Sequence, residues 1–188
     1  MRARSVIAIA VGLMLAGCAK PLEVGSITEI KTPPGSQGLD VYASRRIAGE
    51  KVPDFAGDQL VEVRTIADNA NGGQEEIAGA TCELKARDFS AQLTTPAKVR
   101  VPIYKSQSSP LSVRCEKEGY QPKLTDVGVF DETAAQRLNS GANAGVVGFL
   151  FMAAVNAATD AETHDYKYPL VRVYLERPVT ASAAKPAG

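Results

Sequence analysis

The chain contains no tryptophan, one histidine and three cysteines, and aromatic residues make up only 6% of it. The lack of tryptophan and the scarcity of aromatics weaken any case for a stacking platform that grips sugar rings or bases. A single histidine, His164, cannot form a His-Glu-x-x-His zinc site, and neither a cysteine cluster nor a calcium-loop pattern replaces it. Lysine plus arginine balance aspartate plus glutamate at 21 each. The basic footprint that a nucleic-acid partner requires is therefore missing. No apolar run reaches the roughly 20 residues of a spanning helix. There is no Gly-x-Ser-x-Gly nucleophile elbow, and the glycines of "GANAGVVG" are spaced wrongly for a dinucleotide loop. His164 stands next to Asp165 in a loop, where a base and its orienter rarely adjoin, so it is expected to be solvated. The acid pairs Glu75-Glu76 and Asp131-Glu132 read in the same way, as solvated loop and helix-start charges. The expectation is a protein with no catalytic residues, no metal and no cofactor.

The N-terminus carries information of another kind. Met1-Arg2-Ala3-Arg4 is a short basic segment, and Val6 to Ala16 is apolar apart from Gly12. Charge, length and a small-residue ending are those of a secretory signal peptide spanning residues 1 to 17. Leu15-Ala16-Gly17-Cys18 resembles the lipobox of bacterial lipoproteins at every position. That resemblance implies a diacylglycerol on the Cys18 thiol, cleavage just before Cys18 and acylation of the new amino group. Two or three acyl chains make a durable anchor where one binds only marginally. Ala19 follows Cys18 in place of the Asp that retains many such proteins in the inner membrane. The expected address is thus the cell envelope, at the periplasmic face of an outer membrane, with the membrane itself and an envelope protein as partners. Arg2 and Arg4 belong to the leader, which leaves 171 residues with 19 basic and 21 acidic side chains.

With Cys18 taken by lipid, Cys82 and Cys115 remain in an oxidising compartment, where a lone pair is expected to bridge. A redox or metal pair would call for Cys-x-x-Cys or more histidine. Both cysteines sit on apolar faces of alternating segments. "GATCELKAR" sets Cys82 and Leu84 against Glu83 and Lys85, and "PLSVRCEKEGY" sets Leu111, Val113 and Cys115 against Ser112, Arg114 and Glu116. The bridge would join two sheets or two neighbouring strands. Further strands are read at 39 to 47 (weakly), at 60 to 66, on either side of Thr95-Pro96, and at 166 to 178. This last strand should join the sheet begun by 60 to 66. Pro102 confines its strand to an edge or a bulge. "ADNANGGQEE" supplies a turn at Asn71-Gly72.

Thr95-Pro96, the alternating strand after it and the ending "LSVRCEKEGY" resemble PEGA-type domains, small β-sandwich modules of bacterial envelope proteins. The resemblance covers about a quarter of the chain and implies a binding or spacing module. It departs from the pattern at "FSAQLT", where a Gly-rich turn is usual, and in its cysteine pair.

Asp131 is a plausible N-cap for a helix over about 131 to 160, whose stretch Ala144–Val155 lacks any polar side chain. Gly141, Gly145 and Gly148 fall on one helical face, a spacing that lets another backbone approach closely. Twelve apolar residues suit a buried core helix, a membrane-associated segment or a self-association seam. The expected fold is therefore mainly β (α+β): a small disulfide-bridged β-sandwich with one Gly/Ala-rich apolar helix packed on it. A lipidated tether over 18 to 38 would precede the domain at 39 to 178, and a disordered tail over 179 to 188 would follow it. The expected role is a structural or binding module of the envelope. The other reading is a membrane-associating or self-assembling lipoprotein that works through helix 141 to 158.

Overall fold

The structure, a computed structural model, describes residues 20 to 25, 27 to 143 and 145 to 178. The expected signal peptide, Cys18 and the C-terminal tail lie outside the described residues. Strands form at β1 (Ile27–Glu29), β2 (Gly57–Asp68), β3 (Gln74–Ile77), β4 (Thr81–Lys85), β5 (Ser90–Thr94), β6 (Ala97–Ile103), β7 (Leu111–Glu116), β8 (Lys123–Val127), β9 (Phe130–Asp131), β10 (Tyr166–Lys167) and β11 (Val171–Tyr174). The helices are α1 (Ala43–Ile47), α2 (Glu132–Ala142) and α3 (Gly145–Ala158).

Two sheets face each other. One has the order β1-β6-β2-β11, with β3 also pairing β2, and the other has the order β5-β4-β7-β8. Period-2 alternation fills the space between them. On β2, Val61, Val63, Thr65 and Ala67 are buried, on β7 Leu111, Val113 and Cys115, and on β6 Ala97, Val99 and Val101. Branched side chains predominate because they pack well on a pleated, half-buried surface. The strand expected over 166 to 178 splits: β10 pairs with β9 apart from the sandwich, and only β11 joins the sheet of β2 as expected, with Val171 opposite Val63 and Val173 opposite Thr65 in a parallel ladder. Both corners of the sandwich are tied. Lys31 and Ser90 exchange two backbone bonds of 2.7 and 3.2 Å, and Gln121 N donates to Glu176 O at 2.8 Å. Ties of this kind cover the edges at which a sheet would otherwise recruit another strand.

Cys82 and Cys115 stand directly opposite each other in the β4–β7 register and form a disulfide, with Cα atoms 4.1 Å apart. Of the two geometries open in the sequence, the bridge takes the one between neighbouring strands of a single sheet. Pro102 lies past the reach of β1, which faces only Lys98 to Arg100, so β6 is locally an edge there. The chain passes from one sheet to the other at Thr95-Pro96, whose peptide bond is cis. A buried relay holds this corner. Thr65 Oγ1 donates to Ile77 O at 2.6 Å, Thr95 Oγ1 lies 2.7 Å from Thr65 Oγ1, and Ala80 N donates to Thr95 Oγ1 at 3.3 Å. With the Thr65 proton directed at Ile77, Thr95 must be the donor between the two hydroxyls, and both hydroxyls of this relay then have partners.

Three expectations about residues 20 to 76 need correction. Residues 39 to 47 do not form a strand, since they end in α1. Tertiary polar contacts decide this: Arg46 NH1 pairs with Asp40 at 2.6 Å, and Val41 N donates to the Tyr104 hydroxyl at 2.8 Å. Part of the tether expected over 18 to 38 lies against the sandwich, since Leu22 N donates to Glu76 at 3.1 Å and β1 pairs with β6. Glu76 is accordingly not a freely solvated charge, because Arg64 is clamped between Glu62 and Glu76.

Candidate functional site: an apolar helical hairpin on a polar hinge

The apolar segment folds as one arm of a helical hairpin. It does not continue the preceding helix as a single rod. Its root is the two-stranded pairing of β9 with β10, Tyr166 opposite Asp131 and Lys167 opposite Phe130. Asp131 caps α2 as expected: its Oδ1 accepts from Ala134 N at 2.7 Å, satisfying one of the amides left open at a helix start. Its Oδ2 lies 2.6 Å from His164 Nδ1, and His164 Nε2 lies 3.0 Å from Arg137 NH1. A guanidinium can only donate, so Nε2 must accept and the ring is the neutral Nδ1–H tautomer, donating to Asp131. Arg137 also donates to Asn156 Oδ1 at 3.3 Å, and Asn156 Nδ2 donates to Ala134 O at 3.2 Å. One side-chain network thus joins α2, α3 and the segment leading into β10.

His164 is 4% exposed. The expectation of a solvated loop histidine is therefore overturned. Its Asp131 partner is 33 residues away, and no local pattern announces such a pairing. The carboxyl of Asp131 is held below the usual aspartate range. Partial burial pushes it up, but the Ala134 amide and then His164 and Arg137 outweigh that push. A cleft of about 250 Å³ opens beside the hinge, lined by Asp58, Gln59, Lys105, His164, Tyr166 and Lys167 among others. Both ring nitrogens of His164 are already engaged, which fits a positioning part better than a base waiting for a substrate.

Above the hinge the two helices touch closely. A Cβ on Gly141 would meet the Gly148 carbonyl oxygen at 2.6 Å and Met152 Cγ at 2.8 Å. Gly141 and Gly148 therefore face each other from different helices. Gly145 does not share their face: it opens α3 with φ +78°, a left-handed value that glycine adopts without steric cost and that lets the chain reverse. The three glycines serve the hairpin jointly, two by contact and one by turning.

The outer surface of α3 is the unusual feature. No residue of this helix is buried. Val146 and Val147 are 76% and 81% exposed, Leu150 and Phe151 61% and 64%, and Phe149 43%. The helix packs on α2, which in turn meets β10. The sequence placed the helix on the sandwich, yet α2 intervenes and the large side chains of α3 point away. From Leu138 to Thr159 there is no charged residue. No helix among the described residues is long and apolar enough to cross a membrane. Among the described residues no group of three or more His, Cys, Asp and Glu is placed to hold a metal ion. Compared with models of protein families, with curated proteins and with solved structures, the chain matches none.

Proposed function

We propose that this chain is a non-enzymatic, lipid-anchored cell-envelope protein, held through Cys18 at the periplasmic face of an outer membrane, whose working surface is the α2–α3 hairpin. One observation carries the second half of this reading. α3 displays Val146, Val147, Leu150 and Phe151 to solvent, and an apolar patch of this kind on a soluble domain marks a contact surface. The lipobox at Leu15–Cys18 supports the anchor, and the PEGA-like stretch around Thr95-Pro96 fits a module that spaces or presents. The same exposure favours the second reading, in which the hairpin itself enters a membrane or gathers copies of the chain.

The test has two arms. Mass spectrometry of the protein from native envelopes should show a product beginning at an acylated Cys18, and Cys18→Ala should release it from membranes. Cross-linking from a photo-reactive group at position 147 should capture an envelope component, lipid or protein, which Leu150→Asp abolishes. An unmodified Cys18 in the envelope protein removes the anchor. Cross-linking to bulk solvent alone removes the contact surface.

A further inference from the structure

We infer that the α2–α3 hairpin is a shallow lipid-binding element, in which α3 lies in the outer part of a bilayer leaflet and α2 forms its wet backing. This rests on the hairpin being the working surface proposed above, and it names what covers that surface.

The argument begins with how apolar residues are spread around α3. At about 100° per residue, Phe149, Val146, Leu150, Val147 and Phe151 sweep an arc of roughly 200°, while Gly148 faces α2 across the Gly141 contact. A single partner helix covers a stripe nearer 100° wide. A second copy of the chain fits poorly as well: these five side chains offer on the order of 500 Å², against the roughly 800 Å² per partner of a standard interface. A hydrocarbon medium covers the whole arc without needing a matching groove.

The other arm of the hairpin sets the direction. α2 exposes Gln136, Asn139, Ser140 and, at its last position, Ala142, so three of its four exposed residues are polar and uncharged and none of the four is a large apolar side chain. Neither helix alone divides cleanly between wet and dry, but the pair does. α3 forms one apolar side and the exposed face of α2 a polar one. Surface-lying helices show this division within a single helix; here it lies across two. α3 is about 21 Å long, too short to span the ~30 Å hydrocarbon core, and its backbone bonds are satisfied internally as lipid demands.

Charge decides which part of the lipid is engaged. Around the hinge, Asp131, Glu132, Asp160, Glu162 and Asp165 outnumber Lys105, Arg137 and Lys167. An acidic root gives no attraction to anionic headgroups, so the contact is with acyl chains and needs no anionic lipid.

The absence of tryptophan makes single-tryptophan reporters clean. Two full-length acylated variants, Leu150→Trp on α3 and Gln136→Trp on α2, would be reconstituted in phosphatidylcholine vesicles containing acyl-brominated phosphatidylcholine. Both positions are exposed, so neither substitution burdens the core. The expected result is blue-shifted, bromine-quenched emission from position 150 and water-like, unquenched emission from position 136. Adding Val147→Asp to the first variant should abolish its quenching, because a buried aspartate lowers such partitioning on the order of 100-fold. An unquenched tryptophan at 150 overturns the proposal, whether its emission stays water-like or shifts through self-association. So do equal quenching at both positions and quenching that requires phosphatidylglycerol. Acylation of Cys18 is read separately by mass: quenching without acylation would sink only the anchor, and acylation without quenching would sink only the lipid-bound hairpin.

Discussion

The sandwich and the helical hairpin solve opposite problems with similar residues. Val63, Val99, Val113 and Val173 on the strands are fully enclosed, whereas Val146 and Val147 on α3 stand in solvent. In the sandwich, alternation hides every second side chain, a disulfide ties two strands and backbone bonds close both corners. In the hairpin, cohesion comes from the Gly141–Gly148 approach and from the hinge network around His164, and the large side chains are left over. The sandwich encloses its large apolar side chains, and the hairpin leaves those of α3 exposed. The comparison teaches that apolar content by itself says nothing about burial, since a side chain is buried only when a second layer comes to cover it.

The sharpest way to break this contrast is to truncate one leucine from each region. Leu84→Ala removes a fully enclosed side chain and should cost roughly 2–5 kcal/mol, read from urea unfolding. Leu150→Ala should change the same midpoint by no more than about 0.5 kcal/mol. Equal losses would mean that the hairpin is core after all. Next in size, replacing both Cys82 and Cys115 by alanine should cost roughly 3–4 kcal/mol, on the chain-entropy view of a loop of this length. The loss should appear in the sandwich and leave amide exchange in α3 unchanged relative to global unfolding.

Gly141→Ala acts on the hairpin alone. Helix propensity favours alanine by about 1 kcal/mol, but the new methyl would meet a backbone carbonyl that cannot move without its helix. Overpacking of this kind costs about 1–3 kcal/mol. Faster amide exchange confined to α2 and α3 is the expected signature, and slower exchange would refute the close approach.

The smallest effect is at the hinge. Asp131→Ala removes an N-cap and should cost about 1 kcal/mol, seen as hairpin exchange with the sandwich unaltered. The sign of the pH dependence follows from the lowered carboxyl of Asp131. Its contribution is complete above the unfolded aspartate value near 4 and is lost as pH falls below that, through the folded value. Hairpin protection should therefore weaken on acidification below about pH 4 in the native chain, and this contribution should vanish in Asp131→Asn.

Much of the sandwich could be read from the chain alone. Alternation over 60 to 66, 81 to 85, 97 to 103, 111 to 116 and 171 to 175 places side chains on one face or the other by the two-residue period of a strand, and that period needs no knowledge of neighbours. The cysteine count likewise named the pair Cys82 and Cys115, and Asp131 announced a helix start. Local spacing could not show that α1 would displace a weak strand, that Gly145 would turn the chain and set Gly141 against Gly148, or that His164 would be enclosed by Asp131 and Arg137. The first and last depend on groups tens of residues apart meeting in space, as Val41 meets Tyr104 and Asp131 meets His164, and the glycine contact depends on how the chain reverses between two helices. The exposure of α3 belongs with them: an apolar helix can be recognised from its residues, but whether another layer covers it is decided only when the rest of the chain has taken its place.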